Sequence, residues 1–179
     1  MHDWPGREHV ETLRAWPILV EVVRRIEARP ELFAGAFLLG SLSRGQGDAL
    51  SDVDVVAVVQ RGEWDEAWAR RGELSEGAMV TFDKTDGEPA GLAGHSWLTP
   101  ELVKVESLIA ERGSALRLYG DVVSLLGPPE LQDEFARAPR LTRAAVDEYA
   151  GERRAKGDIG PIEAAYADLM VLLQAEIRQ

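Results

Sequence analysis

The segment "LLGSLSRGQGDALSDVDVVAVV", Leu38 to Val59, decides both the fold class and the candidate site. It joins two apolar runs, Leu32–Leu39 and Val53–Val59, through a link rich in glycine and polar residues. The second run is almost entirely β-branched, and the first is short and bulky, so both are predicted to be buried strands. Asp52 and Asp54 stand where the second strand begins, although like charges are unfavourable there.

The two aspartates are two residues apart, so on a strand their side chains lie on the same face. Carboxylates about 5 Å apart repel each other by roughly 3 kcal/mol at an effective dielectric constant near 20. A cation would relieve that repulsion, and Mg²⁺ commonly takes one or two carboxylates and leaves room for substrate phosphates. Asp52 and Asp54 are therefore predicted to bind Mg²⁺.

The link before the aspartates has the composition of a phosphate-binding turn. Gly40 allows backbone N–H groups to come close to a phosphate, and Ser41 adds a hydroxyl donor. If Ser41 opens a short helix, the amides of its first turn add a favourable dipole for an anion. A phosphate cradle beside metal-binding carboxylates indicates phosphoryl or nucleotidyl transfer.

The same stretch resembles the signature of the DNA polymerase beta-like nucleotidyltransferase superfamily: an apolar strand, Gly-Ser, roughly ten residues, then Asp-x-Asp in a second apolar strand. The resemblance implies that Gly40 and Ser41 contact the triphosphate. Arg44-Gly45 is similar to the "Ser-x-x-Arg-Gly" continuation of small antibiotic-modifying and minimal nucleotidyltransferases, and Ser51 before the aspartates also fits. Arg44 and Ser51 are thus added to the expected nucleotide-binding residues, although a plain surface role for Arg44 stays open.

The resemblance implies a Mg²⁺-dependent transferase that moves a nucleoside monophosphate, AMP from ATP, to a hydroxyl group of a small molecule such as an antibiotic. One alternative is a minimal nucleotidyltransferase antitoxin that binds and adenylylates a partner toxin protein. Another is an inactive relative that only binds, against which the intact aspartate pair argues. The sequence leaves the acceptor and a homodimeric assembly open.

The family also implies a third carboxylate on a later strand, for which Glu106 and Asp83 are the candidates. Asp83 ends an apolar run beside polar turn residues, which is an ordinary place for an aspartate. Glu106 lies inside "LVKVESLIAE", where an isolated carboxylate is costly to bury without compensation. If that segment is a strand, Lys104 is its same-face neighbour. "Lys-Val-Glu" also resembles the strand carrying the later carboxylate in antibiotic nucleotidyltransferases, so Glu106 is preferred as catalytic and metal-binding residue.

The whole chain is predicted to be an α/β (α+β) protein with a nucleotidyltransferase-type mixed sheet, helices on one face and a helical C-terminal tail. A core domain is expected over 1–127 and a helical region over 128–179. Segment 84–100 is predicted as a long connection. The apolar residues of 101–110 fit the period of a helix and that of a strand equally well. The other predicted helices are Arg7–Arg29 (interrupted near Pro17), Glu63–Glu76, Glu130–Ala138, Leu141–Glu152 and Ile162–Ile177, and the other strands are Ala78–Phe82, Leu116–Tyr119 and Val122–Leu126.

Composition limits the class of partner. The 20 Lys and Arg against 31 Asp and Glu give a net charge of −11, and without a basic stripe this disfavours a nucleic-acid partner. There is no cysteine, so neither disulfides nor thiol chemistry contribute. The apolar runs are too short to span a bilayer, and the first residues lack the order of a signal peptide. A cytoplasmic protein without membrane partners is expected.

Overall fold

The structure is a computed structural model that describes residues 3–85, 91–114, 118–119, 121–137 and 140–141. The chain divides into two compact units, residues 1–139 and 140–179. Only the short strand Arg140–Leu141 is described in the second unit.

A six-stranded mixed sheet forms the framework of the first unit, with the strand order β3-β4-β5-β2-β1-β7. Its central pair, β2 and β5, is parallel, and every other neighbouring pair is antiparallel. The described strands are β1 (Phe33–Leu38), β2 (Val53–Val59), β3 (Val80–Lys84), β4 (Leu92–Leu98), β5 (Lys104–Glu111), β6 (Leu118–Tyr119), β7 (Val123–Leu126) and β8 (Arg140–Leu141).

The helices among the described residues are short except for the second one. They are α1 (Arg7–Val10), α2 (Ala15–Glu27), α3 (Gly40–Ser43), α4 (Trp64–Ala69) and α5 (Pro129–Ala136), with a 3-10 turn at Arg71–Glu73. Pro17 lies in the first turn of α2, where its missing N–H leaves no intrahelical bond unmade. The chain leaves the helical conformation between α1 and α2, shortly before Pro17, so the predicted interruption of the N-terminal helix is confirmed.

The α/β prediction and the two strands around the opening segment are confirmed. β1 and β2 are antiparallel neighbours, with Leu38 opposite Val55. Every residue of β2 except Asp54 is buried, as expected for a strand covered on both faces. The segment 101–110, which fitted either period, is largely the strand β5.

Helices cover both faces of the sheet, so the prediction of helices on one face is wrong. The apolar side of α2 packs on one face, where Leu19 and Ile26 join a core with Val53 and Val55. On the other face α5 packs Leu131 and Phe135 against Phe37, Val56 and Val58. The rings of Phe37 and Phe135 stack with 3.9 Å between their centroids.

The long connection predicted for 84–100 is also wrong, because β4 occupies Leu92–Leu98. The glycine and polar residues of β4 hide the apolar alternation that would identify a strand. His95 can be buried there because Asp83 and Ser75 form hydrogen bonds with its ring, and the sequence does not show those contacts. The helix predicted from Glu63 ends at Ala69, and the strand predicted at Ala78–Phe82 begins at Val80 and ends at Lys84.

The predictions for the tail are tested only at its start. A helix near 130–138 is confirmed as α5, whereas Leu141, predicted to begin a helix, is in the strand β8. The helices predicted over 142–152 and 162–177 lie outside the described residues. No helix in the described part of the chain has the length and apolar character needed to cross a membrane.

Replacement of Phe135 by alanine tests whether α5 holds the second face of the sheet. Phe135→Ala should lower the free energy of unfolding by about 3 kcal/mol, since it removes a buried ring and leaves a cavity against Phe37. Met79→Ala is the control, because Met79 is 62% exposed and should cost less than about 0.5 kcal/mol. Urea unfolding measures both; equal losses would show that α5 does not stabilise the sheet.

Candidate functional site

The Asp54 side chain lies against the start of α3. Gly40, the first residue of that helix, has a φ of +72°, and a Cβ atom built there would stand 2.0 Å from Asp54 Oδ2. The backbone N–H of Leu39 donates to the carbonyl of Asp54 at 2.9 Å, which fixes the end of β1 against the beginning of β2. Position 40 therefore needs glycine for two reasons, its backbone conformation and the carboxylate beside it.

Three carboxylates and one ammonium group share this end of the sheet. In the parallel register Asp54 pairs with Glu106 and Val53 with Val105, so Asp54 and Glu106 are direct neighbours on one face. Lys104 begins β5 on that face and forms ion pairs with Asp52, at 3.2 Å from Nζ to Oδ2, and with Glu106. We call Asp52, Asp54 and Glu106 the carboxylate cluster; Lys104 bridges two of its members.

Burial and like charges disfavour the ionised form of Asp54. Burial raises the pKa of its carboxyl group to about 6, with further contributions from Glu106 and Asp52 that Lys104 and Arg44 only partly offset. Among the described residues no group donates a hydrogen bond to the Asp54 carboxylate. Asp54 is thus the member of the cluster that most lacks a positive partner.

The charges of Asp52 and Lys104 partly compensate each other. Burial raises the pKa of Asp52, while Lys104 opposes that rise through its charge and its hydrogen bond. Burial alone would lower the pKa of Lys104, but the charges of Glu106 and Asp52 outweigh burial and raise it. Lys104 is therefore a permanent cation at neutral pH.

The remaining predicted nucleotide-binding residues lie in the loop between β1 and β2. The Ser41 hydroxyl donates to Ser51 Oγ at 3.2 Å, and Ser51 Oγ also accepts the Asp48 N–H at 2.8 Å. Arg44 donates to Gln46 at 3.2 Å and lies close enough to act on the charge of Asp54. The structure therefore brings Gly40, Ser41, Ser51 and Arg44 to the same end of the sheet as the carboxylate cluster.

The N-terminal residues support this loop, and no local sequence pattern predicts that contact. Trp4 Nε1 donates to the Leu42 carbonyl at 3.3 Å, and the His9 ring bonds the Gly47 carbonyl at 2.8 Å. Gly6 and Gly45 both have positive φ, and a Cβ on either would approach the Cα of the other to 2.6 Å. The two glycines allow the backbone of the N-terminal segment to pack directly on the backbone of the loop, and this contact helps to fix the position of the loop.

Asp83, the rival third carboxylate, belongs to a different network. It accepts hydrogen bonds from Arg71 and pairs with the His95 ring at 2.7 Å; the other His95 nitrogen lies 2.9 Å from Ser75 Oγ. His95 pairs with Ser107, whose side chain is on the opposite face from Glu106. β3 is three positions from β2, or about 14 Å at the usual strand spacing. His95 itself is buried in β4.

The donor set of the cluster fits a hard divalent cation. Carboxylate oxygens on neighbouring strands are suitable ligands, and Asp54, which accepts no hydrogen bond from the described residues, would gain the positive partner it lacks. Within the described ranges, no group of three His, Cys, Asp or Glu side chains is arranged to hold a metal ion unaided. Mg²⁺ commonly binds only one or two carboxylates and takes its other ligands from water and substrate phosphates.

A cleft of about 210 Å³ lies between α2 and the end of β4, lined in part by Arg25, Trp97 and Thr99. Trp97 belongs to the core on the α2 face, whereas Asp54 lies on the α5 face, so this cleft is not part of the candidate site.

No protein-family model matches the chain, and no curated protein matches it.

Replacement of Asp54 by asparagine should stabilise the metal-free protein. Because the folded pKa, about 6, is above the ordinary value of 3.8, ionised Asp54 is unfavourable in the fold above pH 6, and this penalty disappears as the pH falls through the unfolded pKa. Asp54→Asn should raise the free energy of unfolding by up to about 3 kcal/mol at pH 7.5 and by little at pH 4.

Urea unfolding in the presence of EDTA measures this difference at the two pH values. Asp65→Asn, which removes an exposed aspartate from the first turn of α4, is the control and should give no gain. A loss of stability in Asp54→Asn at pH 7.5 would contradict the assigned electrostatics.

The contact between Gly40 and Asp54 can be tested against a second glycine of the same conformation. Gly62 has a φ of +86° with open space around its Cα, so Gly62→Ala should cost only the left-handed backbone strain, roughly 1 kcal/mol. Gly40→Ala should cost at least about 1 kcal/mol more, because its methyl group displaces the Asp54 carboxylate. Equal losses of thermal stability in the two variants would mean that the carboxylate does not lie against Gly40.

Proposed function

We propose that the protein is a Mg²⁺-dependent nucleotidyltransferase that moves a nucleoside monophosphate, AMP from ATP, to a hydroxyl group of a small molecule. One observation carries the proposal: the Gly40–Ser41 turn lies directly against Asp54, whose cross-strand neighbour is Glu106. A phosphate-binding turn and a set of acidic ligands are thus joined at one end of the sheet, within reach of a single triphosphate.

The resemblance of the segment Leu38–Val59 to the DNA polymerase beta-like superfamily supports the same reaction. The order of elements supports the same proposal, since the Gly-Ser turn follows β1 and the two aspartates stand at the start of β2, its antiparallel neighbour. We therefore propose that the sheet is of the nucleotidyltransferase type. Asp52, Asp54 and Glu106 would hold the magnesium ion, and Gly40, Ser41, Ser51 and Arg44 would surround the triphosphate.

The reaction requires one bond to form and one to break at the α-phosphorus. The acceptor oxygen attacks that phosphorus, the bond to the bridging oxygen of the β-phosphate breaks, and pyrophosphate leaves. When bound, Mg²⁺ would neutralise charge on the phosphate oxygens. The backbone N–H groups at Gly40 and Ser41 would orient the triphosphate, and the Arg44 guanidinium would add positive charge at the mouth of the site.

Glu106 is the group best placed to take the proton of the attacking hydroxyl. Its side chain is 50% exposed, whereas the side chain of Asp52 is 30% exposed and Asp54 is more deeply set against Gly40. An acceptor arriving from solvent would therefore meet Glu106 first. Proton transfer to a positioned carboxylate contributes typically about 10² to 10⁴ in rate.

A transfer assay with ATP labelled at the α-phosphate tests the function. Purified protein is incubated with Mg²⁺ and panels of aminoglycosides, lincosamides and candidate acceptor proteins, and labelled product and pyrophosphate are measured. Asp54→Asn should abolish transfer, and Glu106→Gln should lower turnover by at least about 10² while sparing most ATP binding. Labelled protein rather than labelled small molecule would favour the antitoxin alternative.

Asp83→Asn is the matched control, since it removes a carboxylate on the opposite face and leaves the cluster unchanged. It should retain the activity of the wild-type protein once thermal melting shows that it is folded. Mg²⁺-dependent ATP binding that is unaltered in both Asp52→Asn and Asp54→Asn would contradict the proposal, as would the absence of ATP binding to the wild-type protein.

A further inference from the structure

Lys104 has an unusual position for a lysine. It precedes Glu106 by two residues in β5, so both side chains lie on one face, and the parallel register places it beside Asp52. Its side chain is only 18% exposed and its ammonium group contacts both carboxylates. No other lysine or arginine among the described residues forms an ion pair with a member of the cluster.

The contacts of Lys104 are the same oxygen atoms that a divalent cation would need. Its ammonium group is bonded to Asp52 Oδ2 and Glu106 Oε1, which leaves Asp54 as the member of the cluster without an ionic partner. Three carboxylates and one ammonium give the group a local charge of −2 instead of −3. The lysine therefore reduces both the negative charge and the number of uncommitted oxygens available to a metal ion.

We infer that Lys104 is a resident cation that competes with a divalent metal ion for Asp52 and Glu106, so that the free protein binds the metal weakly. Metal binding releases the ammonium group from at least one carboxylate. This inference rests on the proposed function, because that proposal supplies the reason for a divalent ion at the cluster. It goes further by assigning the control of metal affinity to a residue that is not itself a ligand.

The competition has a physical basis in the separation of the charges. A positive charge within about 4 Å of the ligating oxygens repels a second cation strongly at the effective dielectric constant of a protein surface. Lys104 also cannot retreat into solvent easily, since its side chain is mostly buried and begins on a strand. A triphosphate would offer the released ammonium group an alternative anionic partner. Metal and nucleotide are therefore expected to bind more tightly together than separately.

Calorimetric titration with Mn²⁺ alone tests the inference without any assay of catalysis. Lys104→Met removes the charge and keeps the length of the side chain, and it should bind Mn²⁺ at least about tenfold more tightly than the wild-type protein. Lys104→Arg keeps the charge and should stay within about threefold of wild type. Unchanged or weaker Mn²⁺ binding in Lys104→Met would overturn the inference.

Lys84→Met is the matched control, because it makes the same change in net charge on the same sheet. Lys84 is in β3, three positions from β2, and should leave Mn²⁺ affinity within about twofold of wild type. An equal gain in Lys84→Met and Lys104→Met would show a general effect of net charge and would also overturn the inference.

A second measurement uses the wild-type protein, in case Lys104→Met does not fold. The ¹⁵Nζ resonance of Lys104 should be that of an ion-paired ammonium group in metal-free buffer and should change on titration with Mg²⁺. A resonance that is unaffected at saturating Mg²⁺ would exclude release of the ammonium group.

The results separate this inference from the proposed function. Tighter Mn²⁺ binding in Lys104→Met, together with no binding of ATP by any variant, would sustain the role of Lys104 and reject nucleotidyl transfer. Transfer activity in the wild-type protein, together with equal Mn²⁺ affinity in wild type and Lys104→Met, would sustain nucleotidyl transfer and reject the role of Lys104.

Discussion

The parallel pairing of β2 with β5 is the interaction on which the candidate site depends. It places Asp54 next to Glu106 and Asp52 next to Lys104, although the two segments are about fifty residues apart in sequence. Both strands begin at the same end of the sheet, so their first charged residues meet there while the apolar residues that follow form the core. The sheet thereby supports a group of charges that no short segment could hold together.

The electrostatics of this group are unfavourable to the fold and informative about function. Burial and two neighbouring carboxylates raise the pKa of Asp54 to about 6, and among the described residues no hydrogen bond compensates that carboxyl group. Strongly perturbed pKa values of this kind cluster at functional sites. Asp83 provides the contrast within the same sheet. Burial would raise its pKa, but hydrogen bonds from Arg71 and His95 outweigh burial and lower it. Asp83 is thus compensated by hydrogen bonds within the fold, whereas Asp54 is not.

The rest of the unit serves to hold the turn beside those charges. α3 starts at Gly40 against Asp54, and the loop that follows is packed on the N-terminal residues through Trp4, His9 and the paired glycines Gly6 and Gly45. The two faces of the sheet are covered independently, by α2 and by α5. A site at the end of a sheet packed on both faces can be rigid without being buried, which suits a ligand that enters from solvent.

The sequence by itself determined the strands β1 and β2, the turn between them and the shared end at which Gly40, Ser41, Asp52 and Asp54 meet. These features follow from local rules: β-branched runs, the period of two along a strand and the conformational freedom of glycine. It did not reveal β4, because the burial of His95 depends on hydrogen bonds with Asp83 and Ser75. It also did not show that β5 is a strand, because the spacing of its apolar residues fits a helix as well as a strand. Only the tertiary structure decided that Glu106 lies beside Asp54, that Lys104 bridges Asp52 and Glu106, and that Asp83 lies apart. Strand pairing joins residues distant in sequence, and its register is set by the packing of the whole sheet, which no local pattern encodes.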